Sequence, residues 1–172
     1  MKKILFSTFI ISLLAVNFSA VAQDKSKRAS PPAKATATTA SGLVITIDYS
    51  QPAVKGRTIG KDLEPMAGVV WRAGANEATV FEISKDAKVD GKELKAGKYS
   101  LYMISGDAEW TIIFNKTWNQ WGTIYKESED ALRIKVKPGK AASFAERLTY
   151  TVDASGKVSM MWGNGMVSFM VK

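Results

Sequence analysis

Arg72, Asn76 and Glu77 stand around Gly74 in the run WRAGANEAT (residues 71–79). A guanidinium, a carboxamide and a carboxylate at this spacing can form the polar floor of a ligand pocket, with Arg57 as a further cation. A second cluster follows at residues 117–122, TWNQWG, where Trp118 and Trp121 flank Asn119 and Gln120 just after Asn115. Exposed indoles beside carboxamides suit a glycan, because sugar C–H faces stack on the rings while amides read the hydroxyls. Each cluster also has a structural reading. Asn76 and Glu77 can tie down backbone N–H groups of the Gly74 turn, and one Trp can cap the open end of a sandwich.

Catalysis has less to work with. The chain has no His and no Cys, which removes Ser-His-Asp and Cys-His arrangements and every His- or Cys-based zinc site. Only carboxylates, carbonyls and water could hold a metal, and no acidic calcium-loop spacing is present, so neither metal nor cofactor is expected. The GKYS run at residues 97–100 sits on a strand pattern rather than opening a helix, so it is no phosphate cradle. What remains is Glu77 as a candidate acid or base, which requires a raised pKa and a second carboxylate nearby. Asp48, on the less apolar face of its strand, is the candidate partner.

The elements that must position these residues read almost wholly as strands. Leu43, Ile45, Ile47 and Tyr49 share one face; Leu132, Ile134 and Val136 alternate with basic residues; Leu148, Tyr150 and Val152 alternate with Arg147, Thr149 and Thr151. Asp90-Gly91 marks a two-residue hairpin. Residues 33–39, AKATATT, form an edge strand. In the strand over residues 78–84, Phe81 and Ile83 face the core. Glu77 and Thr79 share that face, so Glu77 is expected to point inward, neutralised by Arg72 or Arg57. Short helical turns are expected at residues 61–65 and 141–145, and two closing strands at 158–162 and 166–171, joined through Gly163-Asn164-Gly165. Nine or ten strands argue for an all-β, antiparallel two-sheet β-sandwich, jelly-roll-like, with a closed β-barrel as the alternative.

The first residues carry two lysines, an apolar run and Ala20-Val21-Ala22, the pattern of a secretory signal peptide cleaved after Ala22. Ser7, Thr8, Ser12 and Asn17 interrupt the run, which argues against a retained membrane span. Export places the protein in the periplasm or outside the cell. Without Cys no disulfide can staple it, so the fold must rest on its core. The expected organisation is a signal peptide at 1–22, a flexible leader at 23–32 and one domain at 33–172. The net charge of +8 is concentrated towards the N-terminus; over residues 41–172, 18 basic residues face 15 acidic ones with no like-charge block, so no nucleic-acid footprint is present.

The chain resembles the family of domains of unknown function 2911 (DUF2911), exported proteins found mostly in Bacteroidota. The resemblance runs from Ser30-Pro31 to the C-terminus. It is carried by DYSQP (48–52), KGR (55–57), VWRAGANEAT (70–79), LKAGKYSL (94–101), EWTIIFN (109–115), QWG (120–122) and DALR (130–133). It supports export and counting residues 33–39 as a strand, and it implies no activity. Gln51 stands where the family often has Arg, and residues 63–68, LEPMAG, are locally adapted. The expected function is a non-catalytic small-molecule or glycan-binding module of the bacterial envelope. A carboxylate hydrolase using Glu77 with Asp48 is one alternative and a purely structural envelope protein another. Nothing in the sequence specifies an oligomeric state.

Overall fold

The computed structural model describes residues 24–172; the expected signal peptide lies outside the described residues. The strands are β1 (Pro32–Thr38), β2 (Val44–Ser50), β3 (Val70–Trp71), β4 (Thr79–Ile83), β5 (Ala87–Val89), β6 (Lys92–Leu94), β7 (Gly97–Ile104), β8 (Trp110–Asn115), β9 (Asp130–Val136), β10 (Gly139–Val152) and β11 (Lys157–Met170). The helical elements among the described residues are single 3-10 turns at Lys25–Lys27 and Glu127–Glu129. No helix among them is long and apolar enough to cross a membrane.

One layer is a seven-stranded antiparallel sheet in the order β1-β2-β4-β7-β8-β9, with β3 also paired to β7. The other begins with the long β10–β11 hairpin. Its far side meets the β5–β6 hairpin through the Val89–Val171 bridge and reciprocal backbone bonds between Lys88 and Lys172. The layers are not closed into a barrel, and the protein is an all-β sandwich. Alternate residues explain the core. Ile45, Ile47, Phe81, Leu101, Met103, Ile112 and Phe114 of the first layer pack against Leu148, Tyr150, Val158, Met160, Trp162 and Phe169 of the second. Trp71 stacks on Trp162 across the layers, centroids 5.6 Å apart and 11° from parallel.

The predicted hairpin at Asp90-Gly91 is present, with φ of 44° and 83° and Val89 opposite Lys92. The predicted edge strand at residues 33–39 is β1, in register with β2 from Pro32↔Ser50 to Thr38↔Val44. Three expectations fail. No helical turn forms at residues 61–65, where Leu63 instead bridges Ile59. The helical turn placed at 141–145 is part of β10, because that segment pairs with β11 through Ala145↔Gly163. The two closing strands are one, β11, whose Gly163 at φ 58° absorbs an irregular register instead of making a turn.

Strand β7 has an unusual edge. Trp71 of β3 pairs with Met103 and Thr79 of β4 pairs with Leu101, so the two strands lie end to end and only Tyr102 faces the gap. Residues 72–78 must therefore leave the sheet and return opposite a single residue. Ala73 and Asn76 take positive φ, 50° and 61°, to make that excursion. It is anchored at the Ala73 carbonyl, which accepts from Thr79 Oγ1 at 3.0 Å and from Tyr150 Oη at 2.8 Å in the opposite layer. Gly74 lies against the same tie, since a Cβ there would come within 2.5 Å of Thr79 Oγ1.

Tyr150→Phe and Thr79→Val should each cost about 1 kcal/mol in urea denaturation. The double variant should cost more than the sum, because it leaves the Ala73 carbonyl buried without a partner. Additive losses would contradict a shared acceptor.

Candidate functional site

The excursion does not stand alone. The connection after β8 folds back over the outer face of the seven-stranded sheet, held by Ser100 Oγ donating to Thr117 O (2.7 Å) and Tyr102 Oη donating to Ile124 O (2.7 Å). It then pairs with the excursion: Ala78 N donates to Gln120 O and Gly122 N to Asn76 O, each at 3.1 Å, making an antiparallel bridge between Glu77 and Trp121. The two sequence clusters are thus brought together, by backbone as much as by side chains.

Glu77 does not point inward as the strand pattern suggested. The positive φ at Asn76 breaks the period-two parity before β4 starts, and the Glu77 side chain is 38% exposed. Its cations are neither Arg72 nor Arg57. Arg28 Nη1 donates to both carboxylate oxygens at 2.9 Å, and Lys25 Nζ lies 3.1 Å from Oε1. Both come from the segment read as a leader, which Asn76 Nδ2 also holds by donating to Ser30 O at 3.0 Å. Partial burial pushes the Glu77 carboxyl up. The hydrogen bonds from Arg28, its own backbone N–H and Lys25, with the Lys25 charge, outweigh that and hold it at about 2.

Asp48 and Glu77 both line a groove of about 170 Å³. Asp48 is paired there with its cross-strand neighbour Lys34 at 2.9 Å. Both carboxylates face a cation, and Glu77 is displaced away from the raised value a general acid needs.

Other candidate residues are engaged in structural contacts. Arg57 donates from Nε to Val54 O (3.1 Å) and from Nη2 to Ala53 O (2.8 Å), pinning its own loop. Asn115 is fully buried beneath the connection, donating to Lys126 O (2.9 Å) and Asp130 Oδ1 (2.8 Å) and accepting from Thr117 N. Gln120 Nε2 donates to Tyr102 Oη at 3.1 Å. Trp118 and Trp121 remain 40% and 49% exposed, with Lys98 Nζ 5.0 Å from the Trp118 ring centroid.

Arg72 is different. Its stem lies against Gly122, where any Cβ would collide with it and come 2.8 Å from Asn76 O. Its Nε is buried without an acceptor, and no hydrogen bond or ion pair to its guanidinium is found among the described residues. The residue lines a cavity of about 130 Å³ with Trp71, Tyr102, Tyr125, Gly122, Thr123 and Glu64. The phenols are fixed. Tyr125 Oη donates to Asp130 Oδ2 (2.7 Å) and accepts from Arg133 Nη2 (2.6 Å), while Arg133 Nε also bonds Asp130 at 2.7 Å. Burial, then the hydrogen bond to Asp130, push the Tyr125 hydroxyl up to about 12, so at neutral pH it stays protonated. Sequence reasoning passed over Tyr102, Tyr125 and Glu64. Glu64 lies in the LEPMAG segment, whose local adaptation was the available signal.

A model of a protein family of unknown function, DUF2911, matches residues 30–171. The chain belongs to this family. Comparisons with curated proteins and with solved structures give no match. The DUF2911 match begins at Ser30, so the two cations on Glu77 precede it while Arg72, Tyr102 and Tyr125 fall within it.

A pH series tests the clamp. The folded value of Glu77 is depressed, so its contribution is complete above the ordinary value near 4.5 and is lost as pH falls towards 2. Discounted for exposure, it amounts to about 1 kcal/mol. Glu77→Gln should be less stable than the parent at pH 7 by about that amount and match it near pH 2, by denaturant midpoint. A difference that persists unchanged at low pH would contradict the ion pair.

Proposed function

We propose that this protein is a non-catalytic binding module, exported to the cell envelope, whose site takes a hydroxyl-bearing small molecule or the end of a glycan at the Arg72 cavity. The observation that carries this reading is the Arg72 guanidinium, which lines the cavity and has no hydrogen bond or ion pair among the described residues. A guanidinium unpaired within the protein and open to a cavity can donate to water or to a ligand atom there.

The cavity chemistry narrows the ligand. Arg72 only donates, and the carboxylate of Glu64, another lining residue, only accepts when ionised; one of its oxygens already accepts from Met66 N at 3.1 Å and the other is left for a ligand. A hydroxyl both donates and accepts, so one polyol end can serve both. A simple anion satisfies Arg72 but meets Glu64 with like charge. The volume of about 130 Å³ corresponds to roughly four waters at about 30 Å³ each, room for an end group and not for a whole oligosaccharide. Trp121, exposed one residue from Gly122, offers a ring face for the rest.

The carboxylate hydrolase finds one favourable observation, the groove shared by Asp48 and Glu77. Against it stands the Glu77 carboxyl, held near 2 and unable to donate a proton at neutral pH. The purely structural reading accounts for Arg57, Asn76 and Asn115, but leaves Arg72 without a reason.

Calorimetric titration with neutral oligosaccharides and polyols, compared with small carboxylates, tests this. Neutral hydroxylated ligands should bind, and Arg72→Met should weaken them about tenfold or more, the worth of a charge-assisted hydrogen bond. Trp121→Ala should weaken only the longer ligands. Carboxylates binding in preference to polyols, or Arg72→Met leaving affinity unchanged, would overturn the assignment.

A further inference from the structure

The segment ahead of β1 has local order of its own. Asp24 Oδ1 accepts from Ser26 N at 3.0 Å and caps the 3-10 turn Lys25–Lys27. The closing bond of the turn, Arg28 N to Lys25 O at 3.3 Å, sets Lys25 and Arg28 one turn apart, and both reach Glu77. The three carbonyls that follow each meet a different donor. Ala29 O accepts from Arg147 Nη1 of β10 at 3.4 Å, Ser30 O from Asn76 Nδ2 at 3.0 Å and Pro31 O from Gln51 N at 2.9 Å. The segment is thus strapped down in a fixed register, by residues of both layers.

Two of its anchors, Asn76 and Glu77, belong to the excursion that also carries Arg72. Glu77 lies between the two backbone bonds that join the excursion to the connection after β8, Gly122 N to Asn76 O and Ala78 N to Gln120 O. Gly122 in turn lines the Arg72 cavity and has the Arg72 stem against it. A short run of contacts therefore leads from Arg28 through Glu77, Asn76 and Gly122 to Arg72. We propose that residues 24–31 are a positioning strap for the Arg72 site: Arg28, assisted by Lys25, holds the Asn76–Glu77 backbone against Gly122 and so keeps the cavity wall and the Arg72 stem in place.

The excursion depends on such a hold. Residues 72–78 have no partner on β7, and Asn76 keeps a φ of 61°, a conformation that its surroundings must maintain. Arg28 is the stronger of the two cations. It meets both carboxylate oxygens and its side chain is 21% exposed, against 61% for Lys25. Both cations precede the residues that match the DUF2911 model, whereas Asn76, Glu77, Gly122 and Arg72 fall within them. A part of this chain outside the matched domain thus acts on a site inside it. The inference rests on the Arg72 cavity being a binding site, and it adds a control to that site: whatever draws Arg28 off Glu77 loosens the cavity wall.

Hydrogen exchange followed by NMR in the folded chain, with no ligand added, tests the strap. The reporters are the Gly122 N–H, bonded to Asn76 O, and the buried Arg72 Nε–H; the amides of the buried residues Ile112 and Ile113 in β8 are the reference. Arg28→Met should speed exchange at both reporters about two- to fivefold relative to the reference, the effect of a partly exposed ion pair. Arg28→Lys should restore part of the protection, because it keeps the charge and loses the paired contact. Lys27→Met, whose ammonium pairs with Asp24, should change neither reporter. Equal acceleration at reporters and reference would mean that Arg28 adds only global stability, and would overturn the strap. So would reporters that stay unchanged even when Lys25→Met is combined with Arg28→Met, or a like response to Lys27→Met. If the reporters respond while calorimetry finds no polyol bound, the Arg72 reading fails and the strap stands. If polyols bind and the reporters do not move, the strap fails and the Arg72 reading stands.

Discussion

Strand β7 gives one edge to two separate segments, and the whole outer face of the sheet is organised by that arrangement. With Trp71 opposite Met103 and Thr79 opposite Leu101, only Tyr102 lies between them, while the chain needs residues 72–78 to pass from one to the other. The excursion cannot hydrogen-bond to β7, so its backbone must find partners elsewhere. It finds them in the Ala73 carbonyl tie to Thr79 and Tyr150, and in the bridge with residues 120–122. The connection after β8 is in turn drawn down over Tyr102 and Ser100. Arg72 lies between these two loops, its stem against Gly122, and a cavity opens beside it.

Electrostatics then divides the surface into a clamp and an opening. Glu77, the most obvious reactive residue, is bound on both oxygens by Arg28 and again by Lys25, so its charge holds the N-terminal segment against the sandwich. Tyr125 is moved the opposite way from neutrality by burial and Asp130. Neither group exchanges a proton near pH 7. The role proposed for Arg72, Glu64 and the aromatic walls, binding, needs no such exchange.

Much of the fold was legible because strand alternation is a local property. Ile45, Ile47 and Tyr49 turned inward as their spacing required, and Asp90-Gly91 made its hairpin. The failures lie where alternation is broken or where a distant segment decides the outcome. Gly163-Asn164-Gly165 resembled a turn, but pairing with β10 keeps β11 continuous through it. The parity that aimed Glu77 inward was extrapolated from β4 across a positive-φ residue, Asn76, where alternation no longer holds. Its partner Arg28 is 49 positions away in a polar, proline-terminated segment, and no local pattern links the two. At the site, Arg72 was legible as an unusual residue in an unusual motif. Tyr102 was not, because a tyrosine in an apolar strand looks like core until the gap opposite it is known.

Glu77 is a clamp ionised at neutral pH, in the same excursion as Arg72 of the proposed site. Carbon-13 NMR titration of its side-chain carboxyl measures that directly. The midpoint should lie near 2, well below the ordinary value of 4.5, and should rise when Arg28 is replaced by Met. A midpoint above the ordinary carboxyl range, approaching neutrality, would contradict the clamp and return Glu77 to the role of a proton donor.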